Sequence, residues 1–406
     1  MDSLLCNNTD MSRRRILVAM SGGVDSTVAA YMLVEAGYDI IGMTAKLLPD
    51  DCTSASAQCC TAESAHAARR ACDKLGIPHH TINLVDEFKE GVVRRFVEGY
   101  AGGITPNPCA DCNKHIKFDV FFRTAAALNA DAVATGHYAR VAPAEPRRGA
   151  RQIAAIEARD VANDVSVPCR LLKGLDSGKD QSYFLAVIPV NRLSQILFPV
   201  GELTKARVRE IAREFGFANA ARAESQDICF TGSRPDFGKL RTDFGLPDAE
   251  SRAGEIVDES GAVRGRHDGI ERFTIGQRRG MKVGMQESKY VYKIDAQTGA
   301  VHVGGRNELP IVGALLRKCN WLAPDLLDRS DEFEWMLRYR SKPVRARLEL
   351  YESVNAKGVS DDAEFSADSL LRFTDPQYFV TPGQLAVAYL DDTVVGCGEI
   401  AEAISQ

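Results

Sequence analysis

An apolar run, Ile16-Leu17-Val18-Ala19-Met20, leads directly into Ser21-Gly22-Gly23-Val24-Asp25-Ser26 and then Thr27-Val28-Ala29-Ala30-Tyr31-Met32-Leu33. No other stretch constrains the fold as strongly, because this order reads as buried strand, tight glycine turn, helix. Two glycines let the backbone approach a ligand closely. The N–H groups that open the helix, with two serine hydroxyls beside them, suit a phosphate. The G-x-x-x-x-G-K-[ST] nucleotide loop is excluded, since its spacing and its lysine are both missing.

The rest of the first half alternates in the same way. Strands are expected at 39–44 and 80–85, helices at about 62–75, 87–100 and 119–128, and a further apolar run at 131–138 ends in Thr135-Gly136-His137-Tyr138. Strands alternating with helices imply parallel βαβ units in a doubly wound sheet, with ligands beyond the carboxyl ends of the strands. Both Ser21-Gly22-Gly23 and Thr135-Gly136-His137 fall there. Helical patterns resume at about 180–188, 190–197 and 203–215. After Cys229 short alternating strands dominate, among them 272–275, 290–294, 300–303, 335–340, 344–350, 384–389 and 394–397. They suggest a small β-rich domain and then a barrel. The expected division is a disordered leader at 1–14, an α/β catalytic domain at 15–230, a β-rich domain at 231–307 and a β-barrel at 308–406. Residues 141–168 read as a surface excursion carrying Arg147, Arg148 and Arg151.

At 406 residues the chain has room for two or three domains. Its net charge of −5 leaves any nucleic-acid surface to a local basic face. The run Arg338-Tyr339-Arg340-Ser341-Lys342-Pro343-Val344-Arg345-Ala346-Arg347 is such a candidate, although it also reads as a solvated strand face. The N-terminus has no apolar secretory core, and no stretch approaches 18 apolar residues, so a cytoplasmic chain that does not span a membrane is expected. Eleven cysteines without an export signal argue against a disulfide framework.

The second chemical signal is Thr105-Pro106-Asn107-Pro108-Cys109-Ala110-Asp111-Cys112-Asn113-Lys114. Its prolines and asparagines suggest a rigid loop. A C-x-x-C there can chelate a metal, exchange thiols or supply a nucleophile, and Lys114 and Lys117 would favour a thiolate at Cys112. A structural zinc would need a second ligand pair at regular spacing, and no clear one is present. A third signal is Glu224-Ser225-Gln226-Asp227-Ile228-Cys229-Phe230, whose lone cysteine would on its own read as a buried hydrophobe. Cys52, Cys59 and Cys60 are expected to be largely without a catalytic role.

The string Ser21–Ser26 resembles the PP-loop of enzymes that split ATP into AMP and pyrophosphate. Taken in order with Thr105–Phe118, Thr135–Tyr138, Gly178–Tyr183, Ser225–Phe230 and Thr274–Gly280, it makes the chain similar, from about 15 to 400, to the tRNA-specific 2-thiouridylases. The resemblance implies a PP-loop (adenine nucleotide alpha hydrolase-like) domain, a β-rich tRNA-binding domain and a C-terminal β-barrel. It implies that ATP, with Mg2+ on its phosphates, adenylates the 2-oxo group of the wobble uridine of tRNA. Ala19, Met20, Ser21, Gly22, Gly23, Val24, Asp25, Ser26, Ala45 and Gly136 would line the ATP site. Cys229 would take sulfur as a persulfide from a donor protein, and Cys112 would liberate it or resolve it as a Cys112–Cys229 disulfide. Asn107, Pro108 and Cys109 would touch the extruded base. His137, Lys179, Asp180, Gln181, Arg338, Tyr339 and Gln384 match the family's tRNA contacts. Where many relatives carry Asp, this chain has Cys109. With Cys112 and Cys229 that makes three thiols, enough for a [4Fe-4S] cluster with one open iron as the alternative carrier of sulfide. The competing readings are a PP-loop synthetase acting on a small molecule and a non-catalytic tRNA-binding protein.

Overall fold

A computed structural model describes residues 14–49, 52, 62–144, 168–222, 228–231, 235–247, 252–281, 289–328, 330, 332–350 and 369–405. The leader 1–13, the excursion 145–167, and Cys59, Cys60 and Ser225–Asp227 lie outside the described residues.

The strands of the first half are β1 (Arg15–Ala19), β2 (Asp39–Lys46), β3 (His79–Asn83), β4 (Ala132–Ala134), β5 (Ala139–Pro143), β6 (Cys169–Lys173) and β7 (Ile196–Leu197). Five of them form a wholly parallel sheet in the order β3-β2-β1-β4-β7. The reversal of order at β1, with β4 on its other side, is the doubly wound topology that alternation of strands and helices implies. Ile16, Leu17 and Val18 are all buried, as befits a strand covered on both faces. Leu17 joins a core with Phe118, Phe121 and Val133. Ile16 and Val18 face the other way, toward Ala30 and Leu33 of α1 (Val24–Glu35) and Ala68 and Cys72 of α2 (Ala62–Leu75).

The central strands β8 (Gly254–Asp258), β9 (Val263–His267), β10 (Tyr290–Ile294) and β11 (Val301–Gly304) form one small sheet in the order β10-β11-β8-β9. Then β12 (Ile311–Trp321), β13 (Glu332–Met336), β14 (Val344–Leu350), β15 (Ser369–Gln377), β16 (Leu385–Leu390) and β17 (Thr393–Ser405) run in the order β12-β15-β14-β13-β16-β17. Pairing of β12 with β17 closes them into a six-stranded barrel around Trp335, Leu371 and Val395. Closure removes the exposed sheet edges that an open arrangement would leave. The β5–β6 hairpin joins β17 through the pair Thr393 and Leu172. Leu385, Val387 and Tyr389 of the barrel therefore share a hydrophobic core with Phe118, Tyr183 and Ile188.

Several local expectations are corrected. Residues 105–114 are not a loop throughout. Asn107 caps a helical turn Pro108–Asp111 by accepting from the Ala110 N–H at 3.2 Å, and Pro108 sits at the first helical position, where its missing N–H costs nothing. A π-helical stretch Cys112–Phe118 follows, and then helix Asp119–Ala127. No strand forms at 272–275, because a short 3-10 turn Ile270–Arg272 leads into a bend in which Phe273 and Ile275 are buried. The helix expected at 180–188 is reduced to Ser182–Leu185, and 190–195 is a 3-10 turn. β13 ends at Met336, so Arg338-Tyr339-Arg340 lie in a turn rather than a strand. Among the described residues, no helix is long and apolar enough to cross a membrane.

Candidate active site

Strand β1 delivers Ala19 and Met20 to the carboxyl edge of the parallel sheet, where Ser21–Gly23 turn into α1. Gly22 has φ +73°, and a Cβ there would lie 2.2 Å from the Ser64 carbonyl oxygen, so both conformation and space demand glycine. Gly23 is the N-cap of α1 and has no side chain to cap it. The open N–H groups of that first turn are the anion-binding feature. Ser26 Oγ accepts from the Ser21 N–H and donates to the Gly23 carbonyl, both at 3.2 Å, and it lies 3.2 Å from Ser21 Oγ. The two hydroxyls thus converge on the mouth of the turn. Gly136, following β4, is packed against the same helix start, since a Cβ there would stand 2.5 Å from the Ser26 nitrogen. Ala45 lies on β2, beside β1 in the sheet.

Asp25, in the first turn of α1, carries the negative charge of the site. Lys205 Nζ contacts both of its carboxylate oxygens, at 2.7 and 2.8 Å, and Tyr138 OH donates to Oδ1 at 2.8 Å. Asn219 donates to the Gly22 carbonyl at 3.1 Å and to Thr27 Oγ1 at 2.9 Å, and Arg222 reaches the same carbonyl. A cleft of about 290 Å³ between α2 and 216–222, lined in part by Arg70, Lys74, Asn219 and Arg222, lies behind the turn. None of Ser21–Ser26 lines it.

The helix that starts at Pro108 positions both thiols of the C-x-x-C. Cys109 is exposed on the second helical residue, and Cys112 is buried where α-helical turns become π-helical. Such π-helical stretches are frequent at functional sites. Desolvation raises both thiols, Cys109 to about 11, and Lys117 opposes it at both. The expected thiolate at Cys112 is corrected, because burial outweighs the nearby cation. Lys117 rather than Lys114 is the lysine acting on the pair. Lys117 also acts on His137, whose imidazole burial holds well below its ordinary range and therefore neutral. His137 Nδ1 is 2.7 Å from Thr135 Oγ1, and its ring lies between Phe118 and Phe198. Asp111, between the thiols, is raised by burial to about 6 against the pull of Arg95.

Cys229 is half-buried and packs against the cluster that holds Cys112, Ile116 and Phe230. Cys112 of the second sequence signal and Cys229 of the third therefore share one apolar cluster, although they lie far apart in the chain. Among the described residues, no three His, Cys, Asp or Glu side chains converge in a manner that could hold a metal ion. Cys109, Cys112 and Cys229 do not form such a group in this structure. Two of these thiols are drawn into apolar packing while Cys109 faces solvent.

The residues matched to tRNA contacts divide in two. Lys179, Asp180, Gln181 and Tyr339 gather where the loop 174–181 meets the barrel, with Tyr339 OH donating to the Asp180 carbonyl at 3.1 Å. Arg338 is exposed there, and Arg345 and Arg347 are exposed along β14, alternating with buried Ala346 and Leu348. Gln384 is only 8% exposed and turns inward, donating to the carbonyls of Thr105 and Pro106 at 2.8 and 3.3 Å. It anchors the entry to the cysteine helix from the barrel. Lys205, Tyr138, Asn219 and Arg222 brace the glycine turn, and the sequence reading assigned none of them this role. Their partners are far away in sequence, and no spacing rule links them.

A family model described as the tRNA methyl transferase HUP domain matches residues 14–233. Models for the tRNA methyl transferase PRC-barrel domain and the aminomethyltransferase beta-barrel domain match 246–305 and 313–400. The tRNA-specific 2-thiouridylase MnmA of Geobacter metallireducens is 37% identical over 403 residues, covering 98% of this chain and 100% of that one. Its counterpart in Synechococcus sp. (strain CC9902) is 41% identical over 389 residues, covering 95% and 91%. Among solved structures, a 4-thiouridine synthetase–RNA complex with bound ATP is 16% identical with a TM-score of 0.31, covering 57% of this chain and 50% of that one, a likeness too slight to bear weight.

Proposed function

The chain belongs to the tRNA-specific 2-thiouridylase family, and on that premise we propose that it replaces the 2-oxygen of the wobble uridine of tRNA with sulfur, using ATP. The uridine 2-oxygen attacks the α-phosphorus of ATP. The bond to pyrophosphate breaks, and the oxygen becomes part of an adenylate that can leave as AMP. The uncapped first turn of α1, with Ser21 and Ser26, takes the phosphates, and Gly136 closes over them. Magnesium would enter with the nucleotide, supplying charge neutralisation on the phosphates.

Sulfur then travels by persulfide. The terminal sulfur of a Cys229 persulfide attacks C2 and AMP departs. The Cys112 thiol, its proton lost, attacks Cys229 Sγ and breaks the S–S bond, leaving the thiocarbonyl on the base and a Cys112–Cys229 disulfide. A thiol reductant must reopen that disulfide before the next cycle. Shared packing of Cys112 and Cys229 supports this route, and Lys117 would steady the anionic sulfur. Asn107, Pro108 and Cys109 would receive the extruded base, with His137, Lys179–Gln181, Arg338, Tyr339 and Gln384 on the tRNA side. A sulfur-donor protein would load Cys229.

The observation that carries the reading is the meeting of two motifs. The turn after β4 touches the phosphate loop through Gly136 and, through His137, packs on Phe118 at the end of the helical stretch that begins at Cys112. The test incubates the protein with ATP, magnesium, a persulfide-carrying sulfur donor, a thiol reductant and unmodified tRNA, and measures AMP and nucleosides by mass spectrometry. Formation of 2-thiouridine in step with AMP is expected. AMP without thiolated tRNA would point to a synthetase, and neither product to a binding protein.

A further inference from the structure

Segment 174–185 bonds toward the nucleotide side, the barrel and the cysteine helix. On the nucleotide side, Tyr138 and Gln181 are bonded in both directions: the Tyr138 N–H donates to Gln181 Oε1 at 3.0 Å and the Gln181 N–H to the Tyr138 carbonyl at 2.9 Å. Asp176 Oδ2 accepts from the Lys205 N–H at 2.9 Å, and Oδ1 from the Gly178 N–H at 3.1 Å. Tyr138 and Lys205 both bond the Asp25 carboxylate. On the barrel side, Tyr339 OH reaches the Asp180 carbonyl and Arg340 the Gly178 carbonyl at 2.9 Å. Ser182 Oγ lies 3.2 Å from Tyr389 OH, and Tyr183 OH donates to the Leu385 carbonyl at 2.9 Å. Toward the thiols, Asn113 Nδ2 donates to the Phe184 carbonyl at 3.0 Å. Within the segment, Asp180 ties Gly174 to Ser182, so the loop is braced as a unit.

We propose that Tyr138 and Lys205 are positioning residues for Asp25, and that segment 174–185 couples their hold to the presence of tRNA. The proposal rests on the function proposed above, in which Lys179–Gln181 and Tyr339 meet tRNA. With Lys205 on it, Asp25 is a balanced charge at the mouth of an anion site. With Lys205 displaced, a bare carboxylate stands where a polyphosphate must bind, and like charges repel. Substrate pressed against Lys179–Gln181 pins the loop, the loop pins Asp176 and Gln181, and these pin Lys205 and Tyr138. The nucleotide then binds best when the base it is to activate is already present. Linkage requires the same factor in reverse, with ATP tightening tRNA as much as tRNA tightens ATP.

The test measures the dissociation constant of a non-hydrolysable ATP analogue, with and without unmodified tRNA, for the wild type, Tyr138→Phe and Asp176→Asn. Tyr138→Phe removes only the hydroxyl on Asp25, and Asp176→Asn leaves one acceptor for two donors. The wild type should show tightening of about tenfold, within the usual range for coupled sites, and both variants should fall to about twofold or less. A purely structural role would weaken both dissociation constants and leave their ratio unchanged. Urea unfolding confirms that each variant is folded, and Tyr138→Phe keeps the test open if Asp176→Asn is not. Absence of tightening in the wild type, or a wild-type ratio in the folded variants, overturns the proposal. Failure of the wild type to form 2-thiouridine would instead overturn the function on which it rests.

Discussion

Replacing Gly136 with alanine probes the junction between the phosphate turn and the strand that faces it. The added Cβ would stand 2.5 Å from the Ser26 nitrogen, 2.7 Å from the Asp25 carbonyl carbon and 2.9 Å from Ser26 Cα. All three are backbone atoms of the first turn of α1, so no side chain can swing aside. Ordinary contact begins at 3.4 Å, so the turn after β4 and the helix start must part by roughly 0.9 Å. Overpacking of this kind costs ~1–3 kcal/mol of stability. A displacement of about 1 Å in a group that positions a reacting phosphate costs on the order of 100-fold in rate. The assay is AMP release against ATP concentration at saturating tRNA, with urea unfolding run in parallel. The variant should remain folded, lose ~1–3 kcal/mol, and fall on the order of 100-fold in kcat/KM for ATP. Wild-type ATP kinetics in folded Gly136→Ala protein would refute the placement of this turn over the bound phosphates.

The carboxyl of Asp111 is raised from an ordinary 3.8 to about 6, chiefly by burial. The folded state therefore holds that proton more tightly than the unfolded chain, and stability falls as pH rises through the window between those values and stays lower above it. Asp111→Asn should unfold at higher urea than the wild type at pH 8, by ~1–3 kcal/mol, with the gain vanishing near pH 4; a gain equal at both would contradict the burial argument. Gln384→Ala strips the carbonyls of buried Thr105 and half-buried Pro106 of their donor and should cost ~1–3 kcal/mol in urea unfolding; an unchanged midpoint would remove Gln384 as the anchor of the cysteine helix. Cys229→Ser should abolish 2-thiouridine formation and leave tRNA affinity nearly intact, as nucleoside mass spectrometry and filter binding would show; a thiolating variant excludes the persulfide route.

Local signals were legible wherever one short stretch held the whole cause. The strand–turn–helix at 16–33 needed only an apolar run and two glycines, and the helix at 62–75 agrees at both ends with α2. Alternation along Val344–Leu350 marked a half-exposed strand, and β14 shows that pattern. The misreadings arise where one residue type serves two ends. Proline and asparagine at 107–108 read as helix breakers, yet at the cap and first position they start a helix. Phe273 and Ile275 read as strand residues because they alternate, but they are buried in a bend. What no local pattern carries is the wiring between distant segments. Lys205 meets Asp25 across 180 residues, and the hairpin β5–β6 attaches to β17 across more than 200. Only tertiary packing sets those pairings.

In the reaction proposed above, ATP activates the very oxygen that sulfur replaces, and tRNA carrying heavy oxygen at the 2-position of the wobble uridine, followed through one turnover by mass spectrometry of the released nucleotide, tests that step. The label should leave the base bound to phosphorus and be recovered in AMP, in proportion to the 2-thiouridine formed. Recovery of the label in water, with unlabelled AMP, would contradict it.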